Sequence, residues 1–292
     1  MTSLALKIVL IVTMAADHVA VIFLSPSSPW YEWLRIIGRP ALPIACFLLA
    51  EGFVKTASRG KYTLRLFVTA LIGELFWIFL WLQQSIAADK AVRAAYEAAG
   101  GDAIWREDGY QTWANTLTSA EKAQFTNGIV PPLNVLFTLT VCMLMLLLMD
   151  RLQKRYGDML PNQVIKNLGY MLCMCSTIIL AVIICAVAQM DYPLVAPLTV
   201  AGCFIFRNER KSMMVALGLA GVLAGLGAPI YMLAWMIALP LLYRYNGKLG
   251  YDKSERPWLR TLFYAFYPLH LAILVEARYF DLIFGSFSWF GK

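Results

Sequence analysis

The sequence predicts an all-α fold, a polytopic transmembrane helical bundle of about nine spans, and three observations carry that expectation. Of its 292 residues, 60% are hydrophobic and 15% charged, with a mean hydropathy of +0.63. A soluble domain of this length is about half apolar and a quarter charged. The apolar excess is spread along the whole chain in runs of bilayer length, so a single buried core does not account for it. The basic residues, third, gather in the short connections between those runs, the pattern of topology determinants in membrane proteins. That distribution also turns the net charge of +7 away from nucleic acid.

The first apolar run, 4–24, is too long for the h-region of a signal peptide and lacks a clear small-residue cleavage site, so it is read as a helix. The second, 34–54, contains Pro40 and Pro43, which predict a kink just past Arg39. The third covers 62–83. A hydrophilic insertion, 84–128, follows it on the extracytoplasmic side. Its "SIAADKAVRAAYEAAGGDA" is rich in helix formers up to Gly100-Gly101, and "TLTSAEKAQF" reads as a capped amphipathic helix, so one or two short helices are expected there. Runs at 129–149 and 168–189 come next. Those at 192–206 and 212–226 are short, with Pro193, Pro197 and the "GLGAP" turn near their ends, and suit tilted pieces, a re-entrant pair or half-helices. Runs at 228–243 and 259–277 complete a single membrane domain over 1–292.

With the N-terminus cytoplasmic, the connections at 55–65, 151–166, 207–211 and 244–260 hold sixteen Lys and Arg, against six on the other side. The bias predicts a cytoplasmic N-terminus and an extracytoplasmic C-terminus. All six cysteines lie in apolar runs, and Cys173 and Cys175 point to opposite sides of a helix; neither a disulfide framework nor a metal site is expected.

Charges inside apolar runs are costly, about 2.5–3.5 kcal/mol for a central Asp or Arg on insertion scales, and are functional candidates for that reason. They are Asp17, His18, Arg39, Glu51, Glu74 and His270, with Asn134 as a neutral companion. Lys7 and Arg35 lie near helix ends and are discounted as snorkelling. At about 1.5 Å per residue, His18 and Arg39 fall ~8–9 Å below the outer boundary, Asn134 at a similar level, and His270 and Glu74 ~12–13 Å below it. Five helices thus place polar groups in one slab of the outer half of the bilayer, with Glu51 near the inner edge. Neighbours i and i+1 do not face each other, so Asp17 is expected to pair with Arg39, leaving His18 to face a cavity as a neutral general base. The competing reading is structural: Asp17–Arg39 locks two helices and His270 is an interhelical hydrogen bonder. In "AFYPLHLAIL", Tyr267 and His270 share one face, with Pro268 loosening the turn between them.

The blocks "DHVA", "IGRPALPIACFLLAEGF", "KYTLRLFVTALIGE", "NVLFTL", "DYPLVAPL" and "FYPLHL" resemble, in this order, those of the TraX family over nearly all the chain except 84–128. The resemblance implies a polytopic inner-membrane acetyltransferase of bacteria that acetylates the amino-terminal residue of pilin. It is similar to the wider group of transmembrane acyltransferases, which draw on cytoplasmic acetyl-CoA and use a histidine of the first helix as base. His18 stands at that position, and Arg39, Asn134 and His270 lie in the other matching blocks.

Acyl transfer needs a base and a donor to a developing oxyanion. The catalytic candidates are therefore His18, Asp17, Arg39 and Asn134, and the substrate-binding candidates Tyr267, His270 and Glu74. Arg59, Lys61 and Arg65 are placed to attract the phosphates of acetyl-CoA, besides serving as topology signals. The acceptor stays open between a pilin amine and a hydroxyl of a surface or lipid-linked glycan. Two other classes stand beside the enzyme: a proton-coupled transporter with Asp17, His18, Glu74 and His270 as a relay, and an envelope assembly factor without chemistry. Membrane lipids are the remaining expected partner; oligomeric state has no signature in the sequence.

Overall fold

A computed structural model describes residues 1–24, 28–98, 132–159, 163–226, 229–252, 255 and 258–284. These residues form ten helices: α1 (Ser3–Phe23), α2 (Pro29–Gly38), α3 (Ala41–Lys55), α4 (Arg59–Ala98), α5 (Val135–Met159), α6 (Gln163–Val187), α7 (Val195–Ile205), α8 (Arg210–Gly225), α9 (Pro229–Tyr243) and α10 (Trp258–Phe284). The protein is all-helical over this range, and the helices coincide with the apolar runs of the sequence.

Local chemistry sets the helix ends that matter to the site. Thr2 caps α1, its hydroxyl accepting from the Ala5 N–H at 3.2 Å. Pro29 opens α2 in its first turn, where a missing N–H costs nothing. The expected kink in the second apolar run is present as a turn at Arg39 and Pro40, between the end of α2 at Gly38 and the start of α3 at Ala41, with both residues keeping right-handed helical backbone. Pro40 and Pro43 supply no N–H to the carbonyls one turn before them, so the helical hydrogen bonding is interrupted there.

The central helix is α3. It buries Leu42, Ile44, Cys46, Phe47, Leu49, Ala50 and Phe53 and packs against α1, α5, α7 and α9. One core joins α3, α5 and α7, with Met143, Leu146, Met149 and Val200 fully enclosed. A smaller one lies where α1, α4 and α10 meet around Leu80, Tyr267 and Leu271.

The outer surface is inverted relative to a water-soluble bundle. On α4, Leu64, Phe67, Val68, Leu71, Leu75, Ile78 and Leu82 form an exposed stripe at helical spacing, and α6 carries another through Leu172, Ile179, Ile183 and Val187. Continuous apolar surface of this extent fits lipid and not water. The protein is membrane-embedded.

Five helical stretches among the described residues are long and apolar enough to cross: Ser3–Phe23, Pro29–Lys55, Arg59–Gln83, Val135–Arg155 and Leu168–Val187. The expectation of nine spans is not met at that standard. The helices α7, α8 and α9 have 11, 16 and 15 residues, about 16–24 Å of rise against a hydrocarbon core of about 30 Å. In α10, Glu276, Arg278 and Asp281 fall within its 27 residues.

The connections rich in Lys and Arg do meet at one end of the bundle. The amino terminus binds the Arg244 carbonyl, the Ser3 and Leu4 N–H groups donate to Lys248 and Leu249 (2.8 and 2.9 Å), and Lys55 reaches the Gly247 carbonyl at 2.6 Å. Arg59 pairs with Asp150 there. The opposite end is tied by a bridge between Leu133 and Met190 and by Trp77 donating to the Pro132 carbonyl at 3.0 Å. Of the insertion expected at 84–128, the first part, 84–98, continues α4 as helix, and 99–128 lies outside the described residues.

Candidate functional site

The site begins with two helices that meet through their histidines. On α1, His18 projects toward α10, and its Nδ1 lies 2.7 Å from Nε2 of His270. The rings are nearly coplanar, 5° apart with centroids at 4.9 Å. His270 Nδ1 in turn lies 2.9 Å from the Phe266 carbonyl, one helical turn earlier. Tyr267 stands edge-on to both rings, at 6.4 and 5.4 Å, and Trp77 of α4 flanks His18 at 5.9 Å. Gly73 lets α4 come this close: a Cβ there would fall 2.6 Å from the Tyr267 ring. The sequence reading placed His270 with the substrate-binding groups; the geometry makes it the partner of His18.

A second cluster lies beside this pair. Asp17 faces α2, and Arg35 NH1 sits 2.8 Å from its Oδ2, whereas Arg39 Nε is 3.8 Å from Oδ1. The close carboxylate partner is thus Arg35, which the sequence reading discounted, and Arg39 is the looser one. The cause is that α2 packs along α1 and carries Arg35 against it. Gly38 permits the approach, since a Cβ there would lie 2.8–2.9 Å from the Asp17 backbone. Arg39, buried at the turn, also donates to the Tyr192 hydroxyl.

Tyr192 belongs to the connection between α6 and α7, where Gln189 and Tyr192 hold positive φ of 50° and 55°. Such backbone is strained for residues with side chains. It is held by Leu133 donating to Gln189 and Asp191 to Leu133 (both 3.1 Å), and by the Thr138 hydroxyl donating to the Asp191 carbonyl at 2.6 Å. Burial pushes the Asp191 carboxyl up to about 7, with the Arg39 guanidinium pulling the other way. Arg35, Asp191, Tyr192 and Trp77 were all missed in the sequence. The signals available were the i, i+4 spacing of Arg35 and Arg39 on a common face and the block "DYPLVAPL", which opens with Asp191 and Tyr192.

Asn134 departs furthest from its expected role. The sequence placed it inside a span starting at 129, whereas α5 starts at Val135, which makes Asn134 the N-cap. Its Oδ1 accepts from the Leu136 N–H at 3.0 Å, and its Nδ2 donates to Glu74 Oε2 at 2.6 Å and to the Ala70 carbonyl at 3.0 Å. Its backbone N–H also donates to Glu74, at 3.0 Å. A side-chain amide has two hydrogens, and both are committed. It has none left for an oxyanion, and Glu74 is bound to it rather than offered to a substrate.

A cavity of about 550 Å³ opens at the end that carries the amino terminus. Lys7, Lys55 and Arg65 line it on that side, with Glu51 and several tyrosines, and Met14, Leu136 and Tyr267 form its far end. His18, expected to face a cavity, is not among the lining residues, whereas Met14, one turn before it on the same face of α1, is. From Ser3 to Met14 the cavity spans ~16 Å of helical rise. Of the three cations expected to hold phosphates, only Arg65 reaches it. Arg59 is held by Asp150 at 2.5 Å and lies over Phe53, and Lys61 is exposed outside, its carbonyl accepting from Arg65. Lys55 is tied to Glu51 at 2.6 Å, with the Tyr245 hydroxyl donating to the same carboxylate at 3.0 Å.

Residues 3–88 and 115–278 match the family model described as TraX protein, so the match is interrupted inside the predicted insertion. The chain is also similar to the probable fimbrial assembly protein FimC, serogroup H1, of Dichelobacter nodosus. The two are 30% identical over 288 residues, which is 94% of this chain and 95% of that protein. No solved structure matches the chain.

Proposed function

The chain belongs to the TraX family, and on that premise we propose that it is a membrane-embedded acyltransferase, moving an acetyl group from cytoplasmic acetyl-CoA to the amino terminus of a pilin on the other face. One observation carries the reading: the cavity that runs from Lys7, Lys55 and Arg65 to Tyr267, whose ring centroid stands 6.4 Å from that of His18. Its dimensions suit an extended pantetheine arm, of about 20 Å by extended-chain geometry. Cations at the mouth suit phosphates. The name of the relative, a fimbrial assembly protein, agrees with a pilus-related acceptor. The basic residues gathered at the amino-terminal end favour a cytoplasmic orientation for the mouth in a bacterial inner membrane.

In this mechanism His18 accepts the proton of the acceptor amine as its nitrogen bonds to the thioester carbonyl carbon. Tyr267, at the end of the cavity, donates its hydroxyl to the oxygen that gains charge. The C–S bond then breaks, and His18 returns the proton to the departing thiolate. The bonds balance: one N–H and one C–S are lost, one N–C and one S–H are gained. Arg35, Arg39 and Asp17 hold α1 and α2 in register beside His18.

The test has two arms. Purified protein in detergent with acetyl-CoA and a pilin amino-terminal peptide should release free thiol and acetylated peptide, and His18→Ala should abolish both at temperatures where tryptophan fluorescence shows the variant still folded. Mass spectrometry of pili and surface glycans from cells with and without the gene reads the acceptor. An acetyl group lost from glycans alone overturns the pilin acceptor. No acetyl change and no thiol release overturn the enzyme reading.

A further inference from the structure

We propose that His270 is a positioning residue that fixes the tautomer of His18, leaving Nε2 of His18 as the bare nitrogen. The argument is a chain of hydrogen-bond polarity starting from a group that cannot donate. The Phe266 carbonyl has only lone pairs, so His270 Nδ1, 2.9 Å away, must carry a hydrogen. Neither imidazole has a carboxylate within ion-pair distance among the described residues, and each ring is neutral, with one N–H and one acceptor. His270 Nε2 is then an acceptor. Nδ1 of His18, 2.7 Å from it, must be the donor, and the single hydrogen of His18 is spent there. Its Nε2 keeps a lone pair.

Which nitrogen of a histidine is bare is set by the hydrogen bond the other makes. Here that bond comes from a residue 252 positions away, on the helix that also supplies Tyr267. Packing holds the relay in line. His270 is buried and stacked on Phe266 with centroids 4.8 Å apart and planes 6° apart, and Tyr267 braces both imidazoles edge-on. Ring rotation that would exchange the nitrogens meets those neighbours. The inference deepens the acyltransferase reading and rests on it for its catalytic meaning, since a base must present an unprotonated nitrogen to its substrate. The tautomer itself is a physical property of the chain, with or without turnover.

The chain contains two histidines in all, so the test is direct. The full chain, labelled with ¹⁵N-histidine and purified through a tag without histidine, gives two imidazole spin systems, assigned by the His18→Ala spectrum. At neutral pH both rings should be neutral with the hydrogen on Nδ1. Replacing His270→Leu should release His18 to the Nε2–H form or a mixture. His270→Gln, whose side-chain oxygen reaches the place of the lost acceptor, should keep His18 in the Nδ1–H form. In acetyl-CoA turnover, kcat should fall by about tenfold or more in the leucine variant, as for a mispositioned base, and much less in the glutamine variant, with KM for acetyl-CoA unmoved in both. A wild-type His18 carrying its hydrogen on Nε2, a charged His270, or an unchanged His18 tautomer in His270→Leu would overturn the proposal. The wild-type spectrum needs no variant, so misfolding cannot mask that result. The tautomer as stated, together with no acetyl transfer, supports the lock and overturns the enzyme reading.

Discussion

Replacing Asn134→Ala separates two roles that the same residue has been given, helix cap and oxyanion donor. The alanine removes the acceptor for the Leu136 N–H and the Nδ2 hydrogens bound to Glu74 and Ala70. Losing an N-cap costs about 1 kcal/mol. Glu74 keeps only the Asn134 backbone N–H at 3.0 Å, and a buried acceptor stripped of its partner costs about 1–3 kcal/mol. The Ala70 carbonyl adds little, since it sits within α4. The sum is about 2–4 kcal/mol, which for a chain of this length lowers the melting temperature by about 5–10 °C. Tryptophan fluorescence during heating in detergent measures it. Glu74→Gln completes a double-mutant cycle whose coupling should be about 1–2 kcal/mol, because the two residues touch. Below the melting range, acetyl transfer by Asn134→Ala should fall only a few-fold. An oxyanion donor would cost about 100–1000-fold in kcat instead. A variant that melts like wild type and turns over a hundred times more slowly would refute the cap assignment.

Gly73→Ala should push the Tyr267 ring by about 1 Å, since the added Cβ falls 2.6 Å from it and carbon contacts relax near 3.5 Å; kcat should drop by more than tenfold, read by thiol release. Arg65→Ala should raise KM for acetyl-CoA several-fold, and Lys61→Ala should leave it unchanged, because only Arg65 lines the cavity. Asp191 titrates near 7 in the fold against 3.8 in an open chain. Between those values the folded form holds a proton that the unfolded form has lost, so its contribution to stability declines as pH rises from about 4 to 7. Melting temperatures across that range, compared with Asp191→Asn, should show a shallower decline in the variant.

Shared height along the helices was legible in the sequence and azimuth was not. Height along a helix is linear in residue number, so counting from the span ends put His18, His270, Glu74, Asn134 and Arg39 in one layer, where the fold joins them in contacting groups. Rotation about each helix axis depends on which neighbours pack, and numbering is silent on that. Asp17 was matched with Arg39 by height, but α2 packs along α1 and the missing side chain of Gly38 lets Arg35 into the closer place. Asn134 was misread for a related reason. Apolar residues upstream of it extended the predicted span past the true start of α5, and a cap was taken for a mid-helix amide. The span count is left unconfirmed where prolines and glycines cut the apolar stretch of 192–243 into helices too short to cross on their own.

The far end of the cavity, lined by Met14, Leu136 and Tyr267, has an electrical consequence. A route open from one face to the other would short-circuit the potential on which the cell depends. Met14 and Leu136 offer an ion no polar group and Tyr267 only a hydroxyl, so an acyl group can reach that level without an ion following it, and bilayers containing the protein should show no current above the bare lipid.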